Sequence, residues 1–176
     1  MNTDRMQLQG GTRQQALDRF HEQLRAWDIA APDVVPLVLD FGLNDFWSTG
    51  LIECWLANEM KAGYCGKYLF VSDAQSCPAH RHRVKHETFF LVKGSLRVVC
   101  DDVERTMVAG DLLPIAPPQV HSFTGQGSAL LLELSMPCDV ADNDFANPAI
   151  NRWLRDALEP AMQAGSSSRS PSNEAL

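Results

Sequence analysis

The sequence predicts a mainly β protein with one domain, built as a sandwich or a small barrel. Short runs rich in Val, Leu, Ile, Phe and Trp are separated by Gly, Asp, Asn, Ser and Pro, which is the pattern of strands joined by turns. Many short strands at close spacing are typical of a sandwich or small barrel. A chain of 176 residues is long enough for one domain with a sizeable core. The predicted strands are Val34–Leu39, Leu51–Asn58, Lys67–Ser72, Glu87–Val92, Leu96–Cys100, Arg105–Val108, Leu112–Ile115 and Ala129–Ser135.

Turn residues mark where three pairs of adjacent predicted strands are joined. They are Lys93-Gly94, Asp101-Asp102 and Ala109-Gly110-Asp111. Gly, Asn and Asp tolerate the backbone conformations that tight turns require. Antiparallel neighbours are therefore expected on either side of each turn.

A helix is predicted before the strands, from Gln14 to Trp27. Thr12 is its candidate N-cap, and Gln15 stands three residues later as in a capping box. Residues at helical spacing give one apolar face that should pack on the core. These residues are Leu17, Phe20, Leu24 and Trp27. Residues 1–11 are expected to be flexible.

A second helix is predicted after the strands, beginning near Pro148. Asn147 would cap it, and proline suits the first helical position. Trp153, Leu154 and Leu158 would form its apolar side. Pro160 should interrupt it, and the Ser-rich residues 164–176 are expected to be disordered. The domain with its flanking helices is therefore predicted to span residues 12–163.

The composition weighs against several classes of partner. The net charge of −7 and the pI of about 5.1 argue against binding to nucleic acid or anionic membranes. The sequence contains no apolar run long enough to span a membrane and no apolar core of a signal peptide near its start. Its five cysteines form no Cys-x-x-Cys pair, which favours reduced thiols in a cytoplasmic protein.

A cluster of histidines suggests a metal site. His80 and His82 on an extended strand would point to the same face, because side chains alternate with period two. Glu87 follows within eight positions of His80, and His121 supplies a fourth candidate ligand. Imidazole and carboxylate ligands suit Mn, Fe, Co, Ni or Zn better than Mg or Ca. His86 is out of phase with the first two histidines and is interpreted as a surface residue or an outer neighbour of the site.

Two further ionisable residues are candidates for acid–base chemistry. Glu133 is the one charged residue in the apolar run Ala129–Ser135, so it either has a functional role in the interior or faces solvent. If it is buried, desolvation should raise its pKa toward neutrality, which suits a general base. Lys85 shares strand parity with Glu87 and could point toward the same cavity. The alternative for Lys85 is a surface position.

The spacing His80-x-His82-x4-Glu87-x6-Gly94 resembles the first motif of the cupin superfamily, and Gly110-x10-His121 resembles the second. The resemblance implies a jelly-roll β-barrel with the metal inside its mouth.

A narrower resemblance covers most of the chain. Several segments are similar to the D-lyxose isomerase family of cupins: Asp40–Phe46, Gly50-Leu51, Lys67-Tyr68, His80-x-His82-x-x-Lys85-x-Glu87, Leu132–Ser135 and Asp142–Phe145 followed by Arg152. That family interconverts D-lyxose with D-xylulose and D-mannose with D-fructose, usually with Mn. The resemblance implies catalytic roles for Lys85 and Glu133, with Arg152 and Lys85 binding the sugar.

The predicted function is therefore a metal-dependent aldose–ketose isomerase, of the D-lyxose ketol-isomerase type, working through an enediol. Its expected cofactor is Mn²⁺, with Fe, Co, Ni or Zn as alternatives. An Fe-dependent cupin dioxygenase and a non-catalytic cupin that binds a metal and a small molecule remain open. A homodimer is expected, with Thr88, Phe90 and Val92 as interface candidates. Some aromatic residues could line a sugar pocket, although core packing is the default for each; they are Trp47, Trp55, Phe123 and Phe145.

Overall fold

The computed structural model describes residues 6–159, most of which form antiparallel strands. The helices are α1 (Gly10–Ala26) and α2 (Pro148–Leu158). The strands are β1 (Leu37–Leu39), β2 (Leu51–Glu59), β3 (Tyr64–Val71), β4 (Ser76–His82), β5 (Glu87–Lys93), β6 (Ser95–Cys100), β7 (Val103–Val108), β8 (Leu112–Ile115), β9 (His121–Gly125), β10 (Ala129–Ser135) and β11 (Asn143–Phe145). A 3₁₀ turn at Val140–Asp142 precedes β11.

The strands form two sheets, which confirms the prediction of a mainly β domain. The larger sheet has the order β1-β2-β3-β10-β5-β8, and the smaller has the order β11-β4-β9-β6-β7. Every pairing between these strands is antiparallel. Alternate side chains of both sheets therefore point into one shared interior.

The main core lies in that interior. Val71 and Leu91 of the larger sheet and Val98 and Phe123 of the smaller sheet are among its most buried members. A second apolar cluster lies on the outer face of the larger sheet, where α1 packs. Leu17, Phe20 and Leu24 of the helix contact the alternate residues Val38, Ile52 and Phe70 of the strands. This confirms that the predicted apolar face of the first helix packs on the core.

The predicted start of α1 was wrong. The helix begins at Gly10, and Gln9 occupies the N-cap position without a side-chain cap bond, so Thr12 lies inside the first turn. The backbone just before the helix is held by tertiary contacts, because Met6 is buried and the Leu8 N–H donates to the Val38 carbonyl at 2.8 Å. Residues 1–5 of the segment expected to be flexible lie outside the described residues.

The predicted start of α2 is confirmed. Asn147 accepts a hydrogen bond from the Ala149 N–H at 3.0 Å, and proline occupies the first turn. The helix ends at Leu158. Pro160 and the tail at 164–176 lie outside the described residues, so the boundary at 163 stays a prediction.

The eight predicted strands correspond to β1, β2, β3, β5, β6, β7, β8 and β10, but three strands of the smaller sheet were missed wholly or in part. Only the His80–His82 part of β4 was predicted as extended, and β9 and β11 were not predicted. These segments have few β-branched or aromatic residues and mix Pro, His, Asn and Asp among them. Pairing with partners distant in sequence forms them: β4 lies between β9 and β11.

All three predicted turns contain residues with positive φ, as tight turns require. Asp101 and Asp102 both have positive φ, which suits the tight connection between β6 and β7. All five cysteines are free thiols. Among residues 6–159, neither helix is long and apolar enough to cross a membrane.

Gly94, in the turn between β5 and β6, combines a positive φ with a close approach to the backbone of another segment. Its φ is +85°, and a Cβ there would overlap the backbone oxygen of Ser128. Gly110 also has positive φ, +99°, but a Cβ there would meet nothing within 4 Å. We predict that Gly110→Ala lowers the free energy of unfolding by about 1 kcal/mol, from backbone strain alone. Gly94→Ala should cost about 3 kcal/mol, because steric overlap adds to the strain.

Urea denaturation of both variants measures this difference. Equal losses for the two substitutions would contradict the steric argument.

Candidate metal centre and active-site cavity

Four predicted ligands meet in the interior between the two sheets. His80 and His82 come from β4, Glu87 from β5 and His121 from β9. One ligand atom from each residue lies within 4.8 Å of those of the other three, and all four residues are buried. The register of β4 and β9 places His80 directly opposite His121, so strand pairing brings together residues that are far apart in sequence.

Backbone carbonyl groups fix the orientation of two ligand imidazoles. The Nδ1 atoms of His80 and His121 lie 2.9 Å from the Pro78 carbonyl oxygen and 3.1 Å from the Gln119 carbonyl oxygen. A carbonyl oxygen can only accept, so Nδ1 carries the proton in both rings and Nε2 keeps a free lone pair. This is the arrangement in which histidine binds a metal through Nε2.

The protonation states also suit metal binding. Burial holds the pKa of His80 well below its usual value, and it also lowers the pKa of His82. Burial alone would raise the pKa of Glu87, but contacts with His121, His82 and Lys85 bring it well below its usual range. Neutral imidazoles and an ionised carboxylate are the forms that bind metals.

Several polar atoms of the cluster lack partners. Within residues 6–159, both ring nitrogens of His82, Nε2 of His121 and Oε1 of Glu87 are buried without a hydrogen-bond partner. His121 Nε2 lies 2.8 Å from Glu87 Oε1, but with the proton of His121 on Nδ1 both atoms carry lone pairs and neither donates to the other. Buried polar atoms without partners are costly, and a cation at the centre would satisfy them. The residues therefore fit a divalent metal with borderline preferences such as Mn, Fe, Co, Ni or Zn.

A chain of buried charges extends from the ligand cluster. Lys85 Nζ lies 2.6 Å from Glu87 Oε2 and 2.9 Å from Glu133 Oε1. Lys67 Nζ lies 3.2 Å from the other oxygen of Glu133 and 3.6 Å from Glu53 Oε1. Acidic and basic groups thus alternate from the metal ligands into the cavity, and the structure brings the predicted Lys85 and Glu133 together at the ligand cluster.

The prediction that burial raises the pKa of Glu133 was wrong. Burial does act in that direction, but Lys67 and Lys85 outweigh it and lower the pKa of this carboxyl below its ordinary value. Burial also lowers the pKa of Lys85, as does Lys67, yet the carboxylates Glu133 and Glu87 leave it raised. Glu133 is therefore an ionised carboxylate and Lys85 an ammonium at neutral pH.

Glu133 is held rigidly. Oε1 accepts hydrogen bonds from Lys85 Nζ and Ser135 Oγ, both at 2.9 Å, while Oε2 faces Lys67. Its side chain points inward because β10 alternates, with Leu132 and Leu134 directed to the opposite face of the sheet.

Lys85 is positioned by a carboxylate in the late segment of the chain. Asp142 accepts hydrogen bonds from the N–H groups of Arg83, Val84 and Lys85 at 3.0–3.2 Å, which fixes the turn between β4 and β5. Asp142 Oδ2 also lies 4.0 Å from His82 Nδ1. Asp142 therefore fixes the backbone of Lys85 and also lies beside the imidazole of His82.

The metal ligands and the buried charges line two adjoining cavities. The inner cavity is lined by the ligands His80, His82 and Glu87 together with Lys85 and Glu133. The outer cavity is bounded by Trp55, Trp153, Leu154 and other apolar side chains. The residues that line both cavities are Phe41, Glu53, Lys67, Asn143 and Phe145.

The remaining residues that the sequence suggested for the site lie outside the ligand cluster. Arg152 lies exposed on α2, where its neighbour Trp153 lines the outer cavity. His86 is exposed, as expected for a residue that is not a ligand. Trp55, Phe123 and Phe145 line the cavities, whereas Trp47 packs with the α1 cluster beneath Arg19.

Sequence reasoning missed Glu53, and it included Lys67 in the family resemblance without giving it a role in the site. Each is a single charge in an apolar stretch, Leu51-Ile52-Glu53-Cys54 and Lys67-Tyr68-Leu69-Phe70. This is the same signal that identified Glu133, so it could have found them. Asp142 stands among other Asp and Asn residues, so it was quoted only as part of the family resemblance and was given no role.

The fold and the ligand set define a class of proteins, the cupins. The cupin domain pattern matches residues 69–135, the part of the chain that runs from β3 through β10. The L-ribose isomerase of Cellulomonas parahominis superposes with a TM-score of 0.65 at 17% identity, covering 78% of this chain and 92% of that one. The L-ribose isomerase of Acinetobacter sp. DL28 superposes with a TM-score of 0.63 at 15% identity, covering 80% and 93%. These likenesses confirm the predicted cupin jelly roll.

Sequence similarity indicates one family within the cupins. Over 143 residues the chain is 30% identical to a D-lyxose/D-mannose isomerase of Thermosediminibacter oceani, which covers 65% of this chain and 78% of that protein. The chain therefore belongs to the D-lyxose isomerase family, a family of cupin sugar isomerases.

The geometry of the cluster predicts which histidines bind metal. His82→Ala removes a buried ligand, so Mn²⁺ affinity should fall by more than the roughly 10–100-fold that loss of an outer hydrogen-bond partner costs. His86→Ala removes an exposed imidazole four residues away and should leave affinity unchanged. Equilibrium dialysis with Mn²⁺, followed by metal analysis, measures both. Equal metal content in the two variants would remove His82 from the ligand set.

Proposed function

We propose that the protein is a metal-dependent aldose–ketose isomerase that interconverts D-lyxose with D-xylulose and D-mannose with D-fructose. The observation that carries this proposal is Glu133, a buried and ionised carboxylate held between Lys67 and Lys85 beside the ligand cluster. The related D-lyxose/D-mannose isomerase supports the choice of sugars. Mn²⁺ is the proposed cofactor, held by His80, His82, Glu87 and His121.

The reaction needs a base that can hold a proton briefly. The aldose loses its C2 proton, the C1–C2 enediol forms, and the proton is returned to C1 while a hydroxyl proton moves from O2 to O1. Glu133 is ionised and rigidly placed, so it can take the C2 proton and deliver it to C1. A divalent metal, when bound, supplies positive charge that stabilises the enediolate oxygens.

Lys85 is proposed to manage the hydroxyl protons. Its ammonium group lies between Glu87 and Glu133, so it can donate a hydrogen bond to a sugar oxygen while it stays paired. It also stabilises the charged form of Glu133 before the proton is taken. Arg152 is also proposed to help bind the sugar, as the family resemblance implies; it is exposed on α2, next to Trp153 of the outer cavity.

The alternatives receive less support from the side chains. A dioxygenase could use the same four ligands, but oxygen activation needs no paired lysine and glutamate beside them. A non-catalytic binding protein would not need the acid–base pair of Lys85 and Glu133 beside the ligands, which is costly to bury. Among the described residues that line the two cavities, the cations are Lys67 and Lys85, and both are already paired with carboxylates. This favours an unphosphorylated sugar.

A turnover assay on metal-stripped protein tests the proposal. We predict that adding Mn²⁺ with D-lyxose or D-mannose gives D-xylulose or D-fructose, and that the stripped protein gives neither. Glu133→Gln keeps the volume of the side chain but removes the base, so it should bind Mn²⁺ normally and lose about 10²–10⁴-fold in kcat.

Glu59→Gln, the same change at an exposed position on β2, is the matched control and should retain full activity. Ketose formation that does not depend on metal would refute the proposed cofactor role. Full activity in Glu133→Gln would remove this residue from the mechanism.

We also propose that the protein is a homodimer, paired through the uncovered part of the outer face of the larger sheet. Thr88 and Phe90 lie on this face beside Leu112 and Leu134, whose side chains are 62% and 51% exposed. Val92 instead packs against the α1 cluster. Large exposed apolar residues grouped on one face are typical of a protein–protein interface.

Light scattering tests the dimer. The expected mass is twice that of the 19.5 kDa chain. Combining Leu112→Asp with Leu134→Asp should give the monomer mass, because two charges would be buried at the interface. Val103→Asp, at an exposed position on β7 of the other sheet, should leave the mass unchanged. A monomeric native protein would end the proposal.

A further inference from the structure

Glu53 takes no part in the proposed proton transfer, and Lys67 contacts it at 3.6 Å as well as contacting Glu133. Glu53 and Lys67 are both buried, with 9% and 5% of their surfaces exposed. Burying an ion pair is often no better for stability than an apolar pair of the same volume. Because the surrounding strands β2 and β3 already supply apolar core residues, the fold by itself does not account for these two charges.

The contacts of Glu53 leave part of its carboxylate available. Oε2 accepts a hydrogen bond from Trp55 Nε1 at 2.6 Å, which fixes the orientation of the group. Oε1 lies 3.6 Å from Lys67 Nζ, a distance beyond that of a hydrogen bond. Among the described residues, no group donates a hydrogen bond to Oε1. It can therefore accept one from a molecule in the cavity.

Lys67 also has donor capacity to spare. An ammonium group has three N–H donors. Its Nζ lies 3.2 Å from Glu133 Oε2, and its other close neighbour besides Glu53 is the weak acceptor Cys138 Sγ at 3.9 Å. A ligand oxygen would be a better partner than the thiol.

The pair sits where the two cavities adjoin. Glu133 lies on the side of Lys67 that faces the metal ligands, and Glu53 lies on the other side, toward Trp55. A sugar whose carbonyl end reaches Glu133 and the ligand cluster would direct its remaining hydroxyl groups toward Glu53. Trp55 and Trp153 in the outer cavity offer apolar surface for its carbon chain.

We propose that Glu53 and Lys67 bind the hydroxyl groups of the sugar that are remote from its carbonyl, and so set substrate preference. This inference rests on the proposed isomerase function. A buried polar group that loses its partner is costly, so a site built to bind a hydroxyl strongly discriminates against sugars that lack it. Glu53 accepts from the sugar, Lys67 donates to it, and Trp55 positions the carboxylate.

Binding of sugar alcohols tests the proposal without turnover. Calorimetric titration of the Mn²⁺-loaded protein with D-mannitol and D-arabinitol measures recognition of hydroxyl groups in molecules that cannot be isomerised. Glu53→Gln should weaken binding by about 10–100-fold, the range expected for a hydrogen bond to a charged group. Glu59→Gln on the same strand is the matched control and should bind like the native protein.

Kinetics with altered substrates identify the contact. For D-lyxose, Glu53→Gln should raise KM by a similar factor and change kcat by less than about threefold. For 4-deoxy- or 5-deoxy-D-lyxose, whichever lacks the bound hydroxyl, the penalty of the substitution should nearly disappear, as in a double-mutant cycle. The same penalty on every sugar would show that Glu53 acts only through the shape of the site, which would overturn the proposal.

Further outcomes separate this inference from the proposed reaction. If the native protein forms no ketose, the isomerase function fails, and the calorimetry alone decides whether Glu53 recognises hydroxyl groups. If ketose forms but Glu53→Gln keeps the native KM and the native affinity for the sugar alcohols, the inference fails. The absence of sugar-alcohol binding by the native protein also counts against it.

Trp55→Phe provides a second variant if Glu53→Gln does not fold. It removes the hydrogen bond that orients Glu53 while keeping the charge pair with Lys67, and it should raise KM by about threefold to tenfold. An unchanged KM in a folded Trp55→Phe protein would contradict the positioning role.

Discussion

The interaction on which the site depends is the contact of Glu133 with two buried lysines. Removing either lysine would leave the buried Glu133 with one counter-charge instead of two, and removing Lys67 would also leave Glu53 without its lysine partner. The cavity holds three carboxylates, Glu53, Glu87 and Glu133, against two ammonium groups, which leaves one net negative charge. A divalent cation reverses that balance to one positive charge, which complements the single negative charge of an enediolate. The ligand cluster and the lysines therefore depend on each other electrostatically.

Strand register creates this network. Glu133 on β10 lies opposite Lys67 on β3 and Phe89 on β5, and Lys67 lies opposite Trp55 on β2. Since side chains alternate, a slip of one residue between β3 and β10 would turn one of the two charges to the outer face. The apolar residues on both sides of these strands prevent the slip, because the core lies on one face and α1 covers much of the other. Core packing thus fixes the positions of the acid–base groups.

The same dependence on register explains what could be predicted from sequence. The ligands were found because His80, His82 and Glu87 are close together in the chain, and Glu133 because a lone charge in an apolar run is unusual. The pKa of Glu133 was predicted with the wrong sign because the counter-charge, Lys67, comes from a strand whose pairing is invisible in the sequence. Strands β9 and β11 were missed for a related reason, since pairing with β4 and β6 forms them rather than local propensity.

A lowered pKa is compatible with a base that only shuttles a proton. In the proposed reaction Glu133 takes a proton from C2 and returns it to C1 of the same molecule, so the protonated form is needed only between the two steps. Lys67 and Lys85 stabilise the ionised form, which weakens Glu133 as a base but favours prompt return of the proton. The two lysines also keep Glu133 ionised throughout the neutral pH range, so the resting enzyme holds this residue in the form that can accept a proton. Because Glu133 is a weaker base, removal of the C2 proton becomes less favourable. Stabilisation of the enediolate charge formed in that step can offset this effect.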